Sequence, residues 1–497
     1  MEHYDVLVVG AGISGVGAGY HLQTLCPNKS YAIFEGREAI GGTWDLFRYP
    51  GVRSDSDMYT LGFSFRPWKE AKAIADGPAI LGYLRETARA FGIDRHVHYG
   101  RKVKRASWDS ARSRWTVDYE FGPERTVEQV SCDFLFMCAG YYNYTQGYRP
   151  EFAGENRFKG RIVHPQAWPE DMDYAGKRVV VIGSGATAVT LVPEMARTAA
   201  HVTMLQRSPT YVVSRPAEDA FANRLRKWLP AKLAYDIVRW RNVLGQLYFF
   251  NFSRKRPGLV KTQLINMVRD QLGPDYDVET HFTPRYNPWD QRLCLVPDAD
   301  LFEAIKTGAA SVVTDHIEAF EAEGIRLRSG ELLPADVIVT ATGLDMQLMG
   351  GLEVKVDGVP IELAETFSYK AMMYSGVPNL ASTFGYTNAS WTLKADLTAE
   401  YVCRLLNHMD RRGFTECRPV NDEALEAAPW LDFSSGYVTR AMNRFPKQGQ
   451  QAPWRVHQNY ALDLMAFRYG RVDDGVMRFS RAPAAPAPGR AKVEAAA

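Results

Sequence analysis

Two glycine-rich turns hold the clearest chemistry in this chain of 497 residues. The first is Gly10, Ala11, Gly12, Ile13, Ser14, Gly15, and the second is Gly183, Ser184, Gly185, Ala186, Thr187, Ala188. In each, the first glycine permits a tight turn and the second lets a pyrophosphate approach the backbone. The small third residue, Gly15 or Ala188, lets the next helix pack close to its strand. That helix then offers free amides and its dipole to the phosphates. The residues downstream differ. Glu35 lies 20 residues past Gly15, positioned to accept hydrogen bonds from a ribose diol, whereas Gln206, Arg207 and Ser208 follow the second turn. A carboxylate favours a ribose without a 2'-phosphate, and an arginine pairs with that phosphate through charge-assisted bonds. The first turn therefore reads as an FAD site and the second as an NADPH site. The competing readings are a surface glycine turn and a surface arginine.

Gly41, Gly42, Thr43 and Trp44 come next. Adjacent glycines before a large aromatic suggest backbone held against a flat ligand such as an isoalloxazine ring, although an ordinary loop after a strand has the same composition. Asp45, Leu46, Arg53, Ser54 and Asp55 in the same run, with Val103 farther on, complete the candidate flavin contacts. The segment 158–169 reads as a linker carrying His164 and Trp168. Another loop, 284–292, is rich in proline and aromatics and ends in Arg292. On residues alone, His164 is a packing residue and Arg292 a loop cation.

These groups need strands to position them. Apolar runs at 4–9, 31–34, 131–140, 177–182 and 201–205 read as buried parallel strands, and 101–108 as a further strand. The stretch DVIVTATG at 336–343 repeats the plan of 133–140, an acid followed by an apolar strand and a small-small-Gly end. Such a duplication predicts an α/β fold of two doubly wound, Rossmann-like dinucleotide-binding domains. Residues 212–285 interrupt the second unit. Their large apolar residues recur at helical spacing among arginines and lysines, which predicts a helical insertion. Its apolar face either packs inward, admits an oily substrate or touches a membrane. The Ala- and Pro-rich tail 481–497 reads as disordered.

Composition excludes several classes. Lysine and arginine number 59 against 57 aspartates and glutamates, so nothing calls for a nucleic-acid partner. The six cysteines lack the spacing of a metal site, a disulfide framework or the redox pair of a disulfide reductase. With no secretory signal, the expected setting is cytoplasmic. The apolar patch at 244–252 is far shorter than the roughly 20 residues of a membrane span, which leaves peripheral membrane contact as the most it could make.

Phe158, Gly160, His164, Trp168 and Pro169 fit the pattern FxGxxxHxxxWP. By that pattern the chain resembles the FAD- and NADPH-dependent Baeyer-Villiger monooxygenases. Flavin-containing monooxygenases and N-hydroxylases carry a related pattern that ends in Tyr or Phe. Longer stretches, 41–63, 287–302 and 385–397, are similar to the ethionamide-activating branch of mycobacteria and its bacterial relatives, and the likeness runs to about Phe479.

The resemblance implies a reaction. NADPH reduces the flavin, O2 adds at C4a, and the peroxide inserts oxygen into an apolar ketone to give an ester or lactone. The protonated peroxide can oxygenate sulfides or thioamides instead. The resemblance also implies that Arg292 is the active-site cation, with Asp55 beside it, and that His164 couples domain motion. Many members carry Lys before that arginine; here it is Gln291, which weakens the preference for NADPH over NADH. Both domains are expected from separate segments, 1–147 with 344–480 for FAD and 148–211 with 286–343 for NADPH. An N- or S-monooxygenase that forms no ester is the alternative, and a non-catalytic FAD-binding protein is a third reading.

Overall fold

A computed structural model describes residues 1–421 and 424–481. The tail read as disordered, after 481, lies outside the described residues. Continuous apolar runs need cover on both faces, which a parallel sheet receives from the elements packed on it. Strand Glu2–Val9 is such a run, lying parallel between Tyr31–Phe34 and Thr126–Met137. Val6 and Val8 enter one core and Leu7 and Val9 another, because successive side chains on a strand point to opposite faces. The full sheet has nine strands. Its order is Val359–Pro360, Glu353–Val356, Lys102–Asp109, Arg114–Phe121, Thr126–Met137, Glu2–Val9, Tyr31–Phe34 and Val97–His98, with Leu380–Ser382 also paired to Thr126–Met137.

A second sheet of five strands is wholly parallel, in the order Ala310–Thr314, His201–Gln206, Arg178–Ile182, Val337–Thr340, Arg161–Val163. Val179 and Val181 face one core and Val180 and Ile182 another. The fold is therefore α/β, built on two Rossmann-type sheets. Strands of the first sheet come from 2–137 and 353–382, and those of the second from 161–206 and 310–340. Two connecting segments pass between the sheets side by side. Tyr148 N donates to Gly343 O at 3.1 Å and Asn143 N to Asp345 O at 2.7 Å, with a bridge between Tyr142 and Met346.

One expectation needs correcting. Where the sequence suggests a linker over 158–169, Arg161–Val163 is a strand at the sheet edge, paired with Val337–Thr340. Its three residues find partners far away in sequence, which no local pattern reveals. The segment 212–285 is likewise not helical throughout: Val212–Arg215 is a strand, parallel to Cys294–Pro297.

The helices of that segment are Ala220–Leu225, Ala231–Lys255, Pro257–Leu272 and Val278–Phe282. The longest is tied to the first unit by a buried arginine. Arg239 Nη1 donates to the carbonyls of Tyr59 and Gly62, each at 2.8 Å, at the C-terminal end of helix Met58–Leu61, where carbonyls lack partners and a cation is favoured. Among the described residues no helix is long and apolar enough to cross a membrane, and all six cysteines are free and buried.

Candidate active site

The first turn is closely built. A Cβ on Gly15 would lie 1.8 Å from Gly10 O, so only glycine lets helix Ile13–Leu25 approach its strand. Gly12 caps that helix without a side-chain bond, leaving its first amides for an anion. Gly42 has φ +55°, and a Cβ there would be 3.0 Å from Gly12 Cα; the two glycine loops therefore form one cradle, free of side chains. Ser14 is buried, and its Oγ accepts from Trp391 Nε1 at 2.8 Å. Glu35, 7% exposed, accepts from Ala11 N at 2.7 Å and Arg37 N at 2.9 Å. Burial pushes its carboxyl up, and these two amides oppose the shift. Each oxygen keeps a lone pair for a ribose hydroxyl.

Other candidates lie around this cradle with different surroundings. Thr43 Oγ1 is 2.7 Å from Tyr142 Oη, and Trp44 packs partly buried against the core. Leu46 ends the short helix Thr43–Leu46. Asp45 is buried and engaged by arginines, Arg37 at 2.6 Å and Arg85 at 3.0 Å. Val103 turns its side chain into the sheet core, beside a register shift between Val103 and Arg105; only its backbone is left to a ligand. Ser54 is buried, and its Oγ accepts from Ser56 N at 2.9 Å and donates to Ser56 O at 2.8 Å.

Arg53 and Asp55 reach across to the second unit. Arg53 forks onto Asp300 at 2.5 and 3.3 Å, and Arg292 Nε meets Asp55 Oδ2 at 2.6 Å. The Asp55 carboxylate raises the Arg292 guanidinium further above its ordinary value, so the charge is permanent. The Arg292 side chain is 35% exposed and that of Asp55 27%, so the pair remains accessible to a substrate. Arg292 is held in register because strand Cys294–Pro297 begins two residues later. Asp290 in the same loop accepts from Arg254 at 2.8 Å, and its carbonyl accepts from Ser434 N at 2.8 Å. Tyr141 and Tyr437 lie within electrostatic reach of Arg292, and burial pushes both phenols up. Sequence reasoning missed both. Tyr141 directly follows the strand-ending Gly140 and could have been found by that position; Tyr437 has no local signal.

The second turn is more open. A Cβ on Gly183, at φ +134°, would clash with Ala341 O at 2.4 Å, whereas one on Gly185 would meet nothing within 4 Å. Helix Ala186–Met195 also starts without a side-chain cap. Ala188 is buried in the core, while Ala186 and Thr187 are only partly covered, with the Tyr49 hydroxyl of the first unit close to Thr187. Ser184 Oγ donates to Ser208 O at 3.2 Å. Arg207 and Ser208 are exposed at the end of strand His201–Gln206.

His164 sits against the crossing segments. A Cβ on Gly147 would be 2.0 Å from its Cε1, its Nδ1 accepts from Gln166 N at 3.2 Å, and its buried Nε2 has no partner among the described residues. Burial pushes its pKa down, favouring the neutral ring.

Known proteins resemble this chain. The profile of the flavin-binding monooxygenase-like family matches residues 4–252. The FAD-containing monooxygenase EthA of Mycobacterium tuberculosis is 56% identical over 97% of this chain and 99% of its own length. A solved steroid monooxygenase, oxidised and bound to NADP, superposes with a TM-score of 0.78 at 23% identity, over 96% of this chain and 100% of that one. An open cyclohexanone monooxygenase gives 0.71 at 22%, over 85% and 91%. The last two are likenesses of fold. The family match and the long, close identity together make this chain a member of the flavin-binding monooxygenase-like family.

Proposed function

We propose that the chain is an FAD- and NADPH-dependent monooxygenase that inserts one atom of O2 into apolar ketones, giving esters or lactones, and also oxygenates sulfides or thioamides at sulfur. The observation that carries this reading is the Arg292 to Asp55 contact at 2.6 Å, a fixed cation at the junction of the two units. Gly10, Gly12, Ser14, Gly15 and Glu35 would hold the FAD nucleotide, and Gly42, Thr43 and Trp44 its ring. The second turn would hold the NADPH pyrophosphate, with Arg207 and Ser208 on the 2'-phosphate. FAD supplies, when bound, the redox chemistry that takes a hydride from NADPH and activates oxygen.

The protein's own contribution is charge and position. Asp55 fixes one edge of the Arg292 guanidinium through Nε and leaves the rest of the fork for the reactants. When a nucleophile adds to a ketone, its carbonyl oxygen becomes an oxyanion. A preoriented guanidinium stabilises that charge, an effect whose removal typically costs about a hundredfold or more. Tyr141 and Tyr437, within electrostatic reach of Arg292 and with phenols that burial pushes up further, add no competing anion. Oxygen transfer to sulfur develops no oxyanion on the substrate, so it depends less on Arg292.

Turnover under isotopically heavy O2 tests this reading, with a linear ketone, a thioether and a tertiary amine offered separately. The expected products are an ester and a sulfoxide, each carrying one heavy oxygen as NADPH is consumed. Sulfoxide or amine oxide without ester would support an N- or S-monooxygenase, and NADPH oxidation indifferent to every substrate would refute both.

A further inference from the structure

We propose that the helical insertion docks the protein in the plane of a membrane surface rich in anionic lipid, with one side of helix Ala231–Lys255 seated among the headgroups. The helix packs inward through Ala234, Tyr235, Val238, Arg239 and Val243. On its other side Leu233, Ile237, Trp240, Leu244 and Tyr248 are all exposed. At about 100° per residue, the spacing of four, three, four and four keeps these five within an arc of roughly 80°. A surface helix ordinarily turns polar residues outward; this one is apolar on both sides. The adjacent helix Tyr460–Arg468, in contact through the Trp240 and Tyr460 rings at 5.9 Å, extends the patch with exposed Leu462 and Met465. Trp228, just before the long helix, is 82% exposed. Isolated exposed apolar residues are ordinary, but a contiguous set marks a contact surface.

Charge identifies the occupant. Residues 220–256 contain nine lysines and arginines and one acid, Asp236, in a chain whose net charge is only +2; Arg239 is buried, and Lys232, Arg241 and Arg254 pair with Asp236, Asp219 and Asp290, which leaves five cations at the two ends of the stripe. Arg224, Arg226 and Lys227 precede the stripe, and Arg254, Lys255 and Arg256 follow it. Anionic headgroups attract such clusters while apolar and aromatic side chains enter the interface. A second copy related by a twofold axis would instead oppose the same positive surface to itself. The residues after Arg481 include no aromatic and, apart from Val493, no large apolar side chain that could cover the stripe.

A groove of about 360 Å³ opens in this face between Trp240, Val243 and Tyr460, with Lys232 and Asp236 beside it. A smaller space of about 10 Å³, room for one water, shares Val243 and Tyr460 and reaches Asn388 and Leu393. The docking does not rest on the proposed reaction.

The test is cosedimentation of the flavin-loaded protein with vesicles of phosphatidylcholine alone and of phosphatidylcholine with phosphatidylglycerol. Binding is expected to the second, weakened by salt. It should fall at least about tenfold in the triple variant Leu233→Ser, Ile237→Ser, Leu244→Ser, and likewise in the double variant Arg224→Glu, Lys227→Glu. Flavin absorbance and the thermal midpoint serve as folding controls, and the charge variant decides the matter if the serine variant unfolds. Protein that stays in solution with both vesicles overturns the proposal. So does binding that ignores lipid charge and both variants, or self-association that the serine variant disperses without any vesicle binding.

Discussion

The two nucleotide turns share one plan and differ in how they are enclosed. Around the first, Ser14 is buried under Trp391, Gly12 touches the Gly42 loop, and Glu35 is sealed in by two amides. Around the second, Gly185 faces open space and Arg207 and Ser208 stand exposed. Covered groups open rarely and exposed ones readily. The contrast fits a flavin retained through many turnovers beside a nicotinamide cofactor that must enter and leave in each.

The sharpest way to break this comparison is to make the turns alike. The second turn carries Ala188 where the first has Gly15, but Gly15→Ala would force a Cβ to within 1.8 Å of Gly10 O. Such a clash cannot be relieved without moving the strand or the helix, so the variant should purify without flavin, as its absorbance would report. Native flavin content would mean that the first seat is as tolerant as the second. A smaller effect is expected at the open seat. Arg207→Ala should raise KM for NADPH about tenfold while changing that for NADH little, because only the 2'-phosphate pairs with the guanidinium. Equal changes for both would remove the phosphate from this position.

The smallest effect concerns the joint between the seats. Burial holds His164 below its ordinary value near 6.5, so the folded state favours the neutral ring. The unfolded chain takes up the proton first as pH falls. The ring's contribution is therefore intact above about pH 6.5 and is lost as pH drops through the lowered folded value. In denaturant titrations across that window, His164→Asn should show a shallower fall of stability with acid than the parent. Identical slopes would mean that the ring is not held neutral at the crossing.

The turns and central strands were legible because their determinants are local: glycine spacing, uninterrupted apolar runs and the first residue after each second strand. Features that depend on remote partners were not. Arg161–Val163 becomes a strand only through Val337–Thr340, and three residues between Gly160 and His164 carry no period. Nothing local marks the ion pair that Asp45 makes with Arg85, forty residues on. The helix Ala231–Lys255 is apolar on two sides, so its pattern establishes a helix without telling which side packs. Asp55 and Arg292 were linked through family likeness alone, since two loops so far apart in sequence carry no sign that they meet.

That meeting is the central claim, and one comparison tests it directly. Parent and Arg292→Ala proteins are reduced by NADPH without oxygen, then given oxygen together with a linear ketone or a thioether. Both flavins should bleach with NADPH and both proteins should yield sulfoxide, but ester should fall about a hundredfold or more in the variant. Ester formed by Arg292→Ala at the parent's rate would contradict the account.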